Sequence, residues 1–365
     1  MQYFDKYVSD TVASTGNQSW FNLNGKEKRS RIFYKLVGGG EYEYSLLYSS
    51  VIDSTFSDGS HSVANTCVLG WTIKSVSVAV VSDCNVDVDD SKFIPLTFDK
   101  KYEKVVNVSG FFSTDAIKLS VKNGEYLCVD TVFCGEKIPY HEECVLIPVF
   151  VKDENGEWKE DRQTPVPCMI GCNKKNKIRV TFWGDSITQG IGTSFNTYSH
   201  YASVVSSLLG SDYACYDAGL GFGRANDGAL LKSWFGRVKE SEVVVVCFGV
   251  NDVLRIHNAE QTKSDLKTIV SALKNEGVKV VLQTVPPFDY NEESKKLWEE
   301  INAYVKSELV LIVDEVFDCV PILGKEGALH MAKYGGHPND EGCKAWGEQL
   351  HKVVEKVSKS AIRTR

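Results

Sequence analysis

Residues 177–190, KIRVTFWGDSITQG, decide the fold. Lys177–Trp183 reads as a strand of continuous apolar and β-branched character, and GDSITQG follows it without a linker. That order puts Ser186 at the carboxyl end of a strand, where a helix begins. Working outward, the same alternation repeats to the C-terminus. Helices are expected over Tyr198–Leu209, Gly228–Arg237, Ala259–Glu276, Glu292–Lys306 and Asp340–Val357, and strands over Tyr213–Asp217, Glu242–Phe248, Val278–Val285 and Leu309–Asp314. Continuous apolar strands separated by helices imply a parallel sheet covered on both faces, with its ligand site at the carboxyl ends of the strands.

Before residue 165 the texture differs. Short apolar runs such as Ile32–Val37, Tyr44–Tyr48, Val76–Val81 and Ile117–Val121 are broken by turn clusters including GGGE, DVDDSK and VKNGE. Their spacing predicts an antiparallel sandwich. We therefore expect two domains, a β-sandwich over 1–172 and an α/β domain over 173–365.

Bulk composition narrows the function. A formal charge of −7, with basic residues only in short mixed runs (Lys26–Arg31, Lys174–Arg179), disfavours nucleic acid as a partner. No run approaches the ~18 apolar residues of a membrane span, and the opening MQYFDKYVSD has no signal-peptide pattern, so a cytoplasmic protein without a membrane partner is expected. The 11 cysteines are scattered without CxxC pairs and read as reduced core thiols. Cys168 and Cys172 lack a second pair or a nearby His to complete a metal site.

Four segments carry chemistry, and all fall at strand ends. Ser186 is exposed near helix N–H donors, which suits a nucleophile whose adduct becomes negative. Asp217-Ala218-Gly219-Leu220-Gly221-Phe222-Gly223-Arg224 lets backbone N–H groups approach a ligand, and Gly249-Val250-Asn251-Asp252 supplies a side-chain amide. A backbone N–H and an Asn amide aimed at one point make an oxyanion hole. In Gly336-His337-Pro338-Asn339, the imidazole can take the serine proton and return it to a leaving alcohol. Each piece has a plainer reading: a capping serine, a tight glycine loop, an Asn-Asp turn, a surface His before a helix. Their joint placement on one sheet favours the chemistry.

Read together, these segments resemble the SGNH/GDSL hydrolase family, with GDSITQG as its first block, GVND as its third and His-Pro as its fifth, over roughly residues 177–357. The resemblance implies a flavodoxin-like three-layer α/β/α domain with a parallel sheet, here preceded by an all-β, jelly-roll-like sandwich. It implies Ser186 as nucleophile, His337 as general base, and Gly223 and Asn251 as oxyanion donors, with Gly221 the alternative to Gly223. No cofactor or metal is implied. The family usually places an aspartate three residues before the histidine, and here that position is Tyr334. Either a backbone carbonyl orients the imidazole, or Asp314 or Asp318 reaches it through space, or the enzyme is impaired.

A sandwich preceding such a domain is similar to the domain order of some carbohydrate esterases. The expected function is hydrolysis of short acyl, above all acetyl, esters of a small molecule or glycan. The alternatives are a lipid-type esterase or thioesterase, and a glycan-binding protein with a decayed site. Trp20, Trp71 and Trp158 are the candidate glycan platforms, Trp71 more readily a core residue. His200, His257 and His351 read as structural or solvated, His330 as a possible pocket residue, and His61 and His141 as unpaired with carboxylates at ligand spacing. Asp185 is expected to orient the nucleophile's loop, and Arg224 to form a surface salt bridge, with contact to substrate the alternative.

Overall fold

The computed structural model describes residues 2–55, 65–143, 146–153, 155–176, 178–324 and 331–362, the side chains of 334 and 362 excepted. His61, Cys144 and His330 lie outside the described residues. The chain divides into two compact units, Met1–Ser54 with Val63–Lys175, and Thr55–Ser62 with Asn176–Arg365.

The first unit is built from antiparallel strands. One sheet runs in the order Val8–Ser9, Met169–Cys172, Gly40–Ser49, Phe111–Ser113, and Ile117–Val121 also pairs with Gly40–Ser49. The other is centred on Tyr126–Gly135, which pairs with Glu27–Lys35 on one side and Trp71–Val81 on the other. Alternate side chains of these long strands point inward and meet as aromatics from both sheets. Trp71 of the second sheet lies 6.1 Å from Phe112 of the first, and Tyr48 stacks on Phe112 at 5.4 Å. Trp71 is buried, with its indole N–H donated to Val68 O. It is a core residue, not a glycan platform. Trp158 is half-buried and faces Arg31 and Lys152, 4.9 and 5.5 Å from its ring centre.

The second unit is a three-layer α/β/α domain. Its strands are β1 (Ile178–Gly184), β2 (Tyr213–Asp217), β3 (Val243–Cys247), β4 (Lys279–Gln283) and β5 (Glu315–Phe317). All pair in parallel in the order β2-β1-β3-β4-β5. The helices are α1 (Ser186–Gln189), α2 (Tyr201–Leu209), α3 (Ala225–Ala229), α4 (Ser233–Val238), α5 (Ala259–Asn275), α6 (Glu292–Ser307), α7 (Val320–Leu323) and α8 (Asp340–Ile362). Every residue of the valine strand β3 is buried, as a strand covered on both faces requires.

Two expectations change. The apolar run Leu309–Asp314 is not a strand: Leu309–Leu311 closes α6 as a 3-10 turn, and β5 begins at Glu315, level with Val281. Leu311 is 80% exposed, so hydrophobicity at that point reflects no sheet position. The helix expected over Gly228–Arg237 is two short helices, α3 and α4, separated at Leu231, whose φ of +52° a continuous helix cannot hold.

Behind the sheet's carboxyl edge lies a buried polar chain. Trp346 stacks on Tyr201 with ring centres 4.6 Å apart and donates to Gln283 Oε1 at 2.7 Å, while Tyr201 and Thr188 hydroxyls are 2.7 Å apart. This ties α8, α2 and α1 to β4. Trp346→Ala should lower stability by about 3–5 kcal/mol, since it opens a cavity and strands Gln283. Urea unfolding of the variant against wild type measures the difference.

Candidate active site

The setting of Ser186 follows from three local features. Gly184 ends β1 where a Cβ would meet Thr188 Oγ1 at 2.2 Å and Cys247 O at 2.4 Å, so only glycine fits between β3 and the turn. Asp185 then caps α1, its carboxylate accepting from Ile187 N at 2.9 Å. Gly190, at φ +103°, closes α1 after a single turn. Ser186 therefore stands on the first residue of a helix at the sheet's carboxyl edge.

Its hydroxyl lies 2.8 Å from His337 Nε2, although the two residues are 151 positions apart. His337 is delivered by a short hairpin of Ala332–Tyr334 with His337–Pro338, just ahead of α8. Two close approaches confine it. At Gly192 (φ +102°) a Cβ would sit 2.9 Å from His337 Cβ, and the Phe288 ring packs edge-on against the imidazole with centres 5.1 Å apart. Phe288 was missed by sequence reading, because Pro286-Pro287 before it signals only the end of a strand. The juxtaposition depends on Gly336, where a Cβ would meet Phe288 Cα at 2.7 Å.

Gly223 packs against the backbone just before Ser186, where a Cβ would approach Asp185 Cα at 3.3 Å and Gly184 O at 3.4 Å. Asn251 is buried and donates from Nδ2 to Gly223 O at 3.1 Å. An amide nitrogen carries two hydrogens, so this bond leaves one to aim elsewhere. Gly223 N donates to Leu220 O at 3.0 Å, closing a four-residue turn. Gly221, the alternative donor, has its carbonyl accepting from the Thr55 hydroxyl.

The more distant carboxylates are engaged away from the imidazole. Asp314 sits at the amino end of β4, where Oδ2 accepts from Val280 N at 2.8 Å and Lys274 Nζ at 2.5 Å, and these bonds hold its carboxyl below the usual range despite partial burial. Asp318 accepts from Thr284 Oγ1 at 3.1 Å and pairs with Lys306 at 2.5 Å. Tyr334 is outside the described side chains. Arg224 is not on the surface. It is buried and paired with Asp227 at 2.9 Å at the start of α3.

Two further carboxylates lie under the site. Burial pushes Asp185 up to about 7, with the neighbouring Asp252 adding to the rise. Burial likewise pushes Asp252 up to about 7, against its bonds from Ala225 N at 3.0 and 3.1 Å. His200 Nε2 lies 3.0 Å from Asp217 Oδ2, both fully buried.

Residues 182–345 match the model of the family described as GDSL-like lipase/acylhydrolase. The matched residues all lie in the second unit. A search of curated proteins found no match to the chain. Among solved structures, the chain is similar to a carbohydrate esterase family 3 from Talaromyces cellulolyticus, at 18% identity and TM-score 0.42, covering 50% of this chain and 99% of that one. It is similar to a GDSL-like lipase from Bacteroides thetaiotaomicron VPI-5482, at 19% identity and TM-score 0.40, over 49% of this chain and 89% of that one. A third likeness is to TesA, at 22% identity and TM-score 0.42, over 49% and 99% of the two chains. Among the described residues, no helix is long and apolar enough to cross a membrane, and no cluster of His, Cys, Asp or Glu could hold a metal ion.

The buried Asp185 gives the second unit a testable pH response. An acid whose folded value is raised keeps its proton while the unfolded chain loses it, so the unfolded state binds fewer protons between about pH 4 and about 7 and stability falls across that window. Asp185→Asn retains an oxygen to accept from Ile187 N and removes the ionisation. It should equal wild type near pH 4 and exceed it by a few kcal/mol at pH 8, on the order of what such a shift carries. Denaturant titrations at the two pH values check this; an Asn variant whose stability drops as steeply as wild type contradicts it.

Proposed function

We propose that this protein is a serine esterase of the GDSL type acting on short acyl esters, most specifically an O-acetylesterase of carbohydrates, with Ser186 as nucleophile and His337 as general base. The observation that carries the reading is the 2.8 Å contact between Ser186 Oγ and His337 Nε2 at the first residue of a helix. Neutral imidazole takes the hydroxyl proton as Oγ attacks the acyl carbonyl carbon, and a tetrahedral adduct forms. Its oxyanion meets the second amide hydrogen of Asn251 and the Gly223 N–H, the latter by sharing a hydrogen now given to Leu220 O. His337 returns the proton to the leaving alcohol, and water, deprotonated by the same imidazole, releases the carboxylate from Ser186. Imidazole at a serine hydroxyl, with two N–H donors to the oxyanion, suffices for each of these steps, and none draws on a metal or organic cofactor.

The acetyl and carbohydrate parts of the reading are supported by domain order alone, a β-rich unit preceding the hydrolase domain. Acetate release from acetylated xylan, acetylated mannan and small acetylated sugars tests them. A p-nitrophenyl ester series run alongside should fall from acetyl to longer acyl chains. Strong preference for long chains with no acetate from any sugar would instead mark a lipid-type esterase. Ser186→Ala should lower turnover of p-nitrophenyl acetate by about a hundredfold or more, the usual scale for losing a nucleophile. Wild type no faster than that variant would leave a carbohydrate-binding protein without catalysis.

A further inference from the structure

The turn Leu220–Gly223 sets the direction of both proposed oxyanion donors, since Gly223 N belongs to it and Asn251 Nδ2 bonds Gly223 O at 3.1 Å. Gly223 N donates to Leu220 O at 3.0 Å, and Phe222, the third residue, has φ +61° while Gly221 stays out of the left-handed region. This is the sign pattern of a type II turn. In such a turn the central carbonyl crowds the Cβ of the third residue, which is why glycine usually occupies that place. Here the third residue is Phe, and glycine sits second, where it offers no side chain to resist rotation. Flipping the Gly221–Phe222 peptide would give a type I turn with negative φ at Phe222, the arrangement phenylalanine prefers. Something outside the turn must hold the peptide.

Two contacts do. The Thr55 hydroxyl donates to Gly221 O, the carbonyl of the peptide that would flip. Thr55 is fully buried and groups with the second unit although it precedes the hydrolase domain in sequence by more than a hundred residues. The guanidinium of Arg255, four residues beyond Asn251, lies 4.7 Å from the centre of the Phe222 ring and keeps the side chain in place.

We propose that Thr55 is a positioning residue for the oxyanion hole: its hydroxyl holds the Gly221–Phe222 peptide and so anchors the turn whose last residue, Gly223, offers its N–H and bonds Asn251 through its carbonyl. Thr55 touches no reacting atom. The effect belongs to the transition state, where the donors matter most, and much less to the bound ester. The inference rests on the esterase reading of Ser186, His337, Gly223 and Asn251.

The test compares Thr55→Val, which keeps the shape and removes the hydroxyl, with Thr55→Ser, which keeps the hydroxyl, on p-nitrophenyl acetate and with phenylboronic acid as a tetrahedral mimic. Thr55→Val should lower kcat by about tenfold or more with KM moved less than about threefold, and should weaken phenylboronic acid by a similar factor. Thr55→Ser should stay within about threefold of wild type. In a Phe222→Gly background, where glycine holds the turn unaided, the Thr55→Val loss should shrink to about threefold or less. An unaltered kcat in a folded Thr55→Val, or an equal loss in both backgrounds, overturns the proposal. If Thr55→Val does not fold, Thr55→Ser alone decides, and a tenfold fall in its kcat overturns it. A wild type no faster than Ser186→Ala removes the esterase reading itself, whereas a Ser186-dependent wild type with unaffected Thr55→Val removes only this inference.

Discussion

The second unit is organised by the burial of its central strand. Val243–Cys247 is covered on both faces, so none of its side chains can serve a ligand. A ligand site is forced to the edge where the strands end, and every candidate group must arrive on a loop leaving that edge. Ser186 arrives from β1, the glycine turn from β2, Asn251 from β3, Phe288 from β4, and His337 from the hairpin before α8. Segments separated by 151 residues thus come to a 2.8 Å contact with no local sequence code for the pairing. Glycines at 184, 192, 223 and 336 mark where the loops pass too closely for any side chain.

The same burial creates tension beneath the site. Asp185 and Asp252 both lie fully inside, and burial raises each to about 7. Each is nevertheless tied to a backbone amide that starts a helix, Ile187 N in one case and Ala225 N in the other. Carboxylates make good caps because they accept strongly, and poor core residues because they ionise. Here the helix starts that carry Ser186 and follow Gly223 are fixed at the expense of stability toward neutral pH. The left-handed Phe222 is a second local strain held by its surroundings, through Thr55 and Arg255.

How much of this was legible depended on whether the signal was local. GDSITQG announces a strand end and a helix start, and the structure places both there, with Asp185 as the cap. Tyr213–Asp217 and Ala259–Asn275 follow their apolar periods closely. The run at Leu309–Asp314 misled because strand register depends on the partner strand, and apolar residues at a helix end look the same as a strand. Arg224 was misplaced because burial of a charge depends on a partner three residues on in a capping geometry that spacing alone does not reveal. Thr55 carried no signal at all. A threonine in a loop is unremarkable until the fold brings it against Gly221, 166 positions away.

Most directly at stake is whether Ser186 is a nucleophile activated by His337. Intact-mass and peptide mass spectrometry after treatment with a fluorophosphonate measures this without assuming any substrate. The account predicts one adduct per chain, on Ser186, formed at a rate that collapses in His337→Ala. Labelling of another residue, or equal labelling of Ser186 in His337→Ala and wild type, would contradict it.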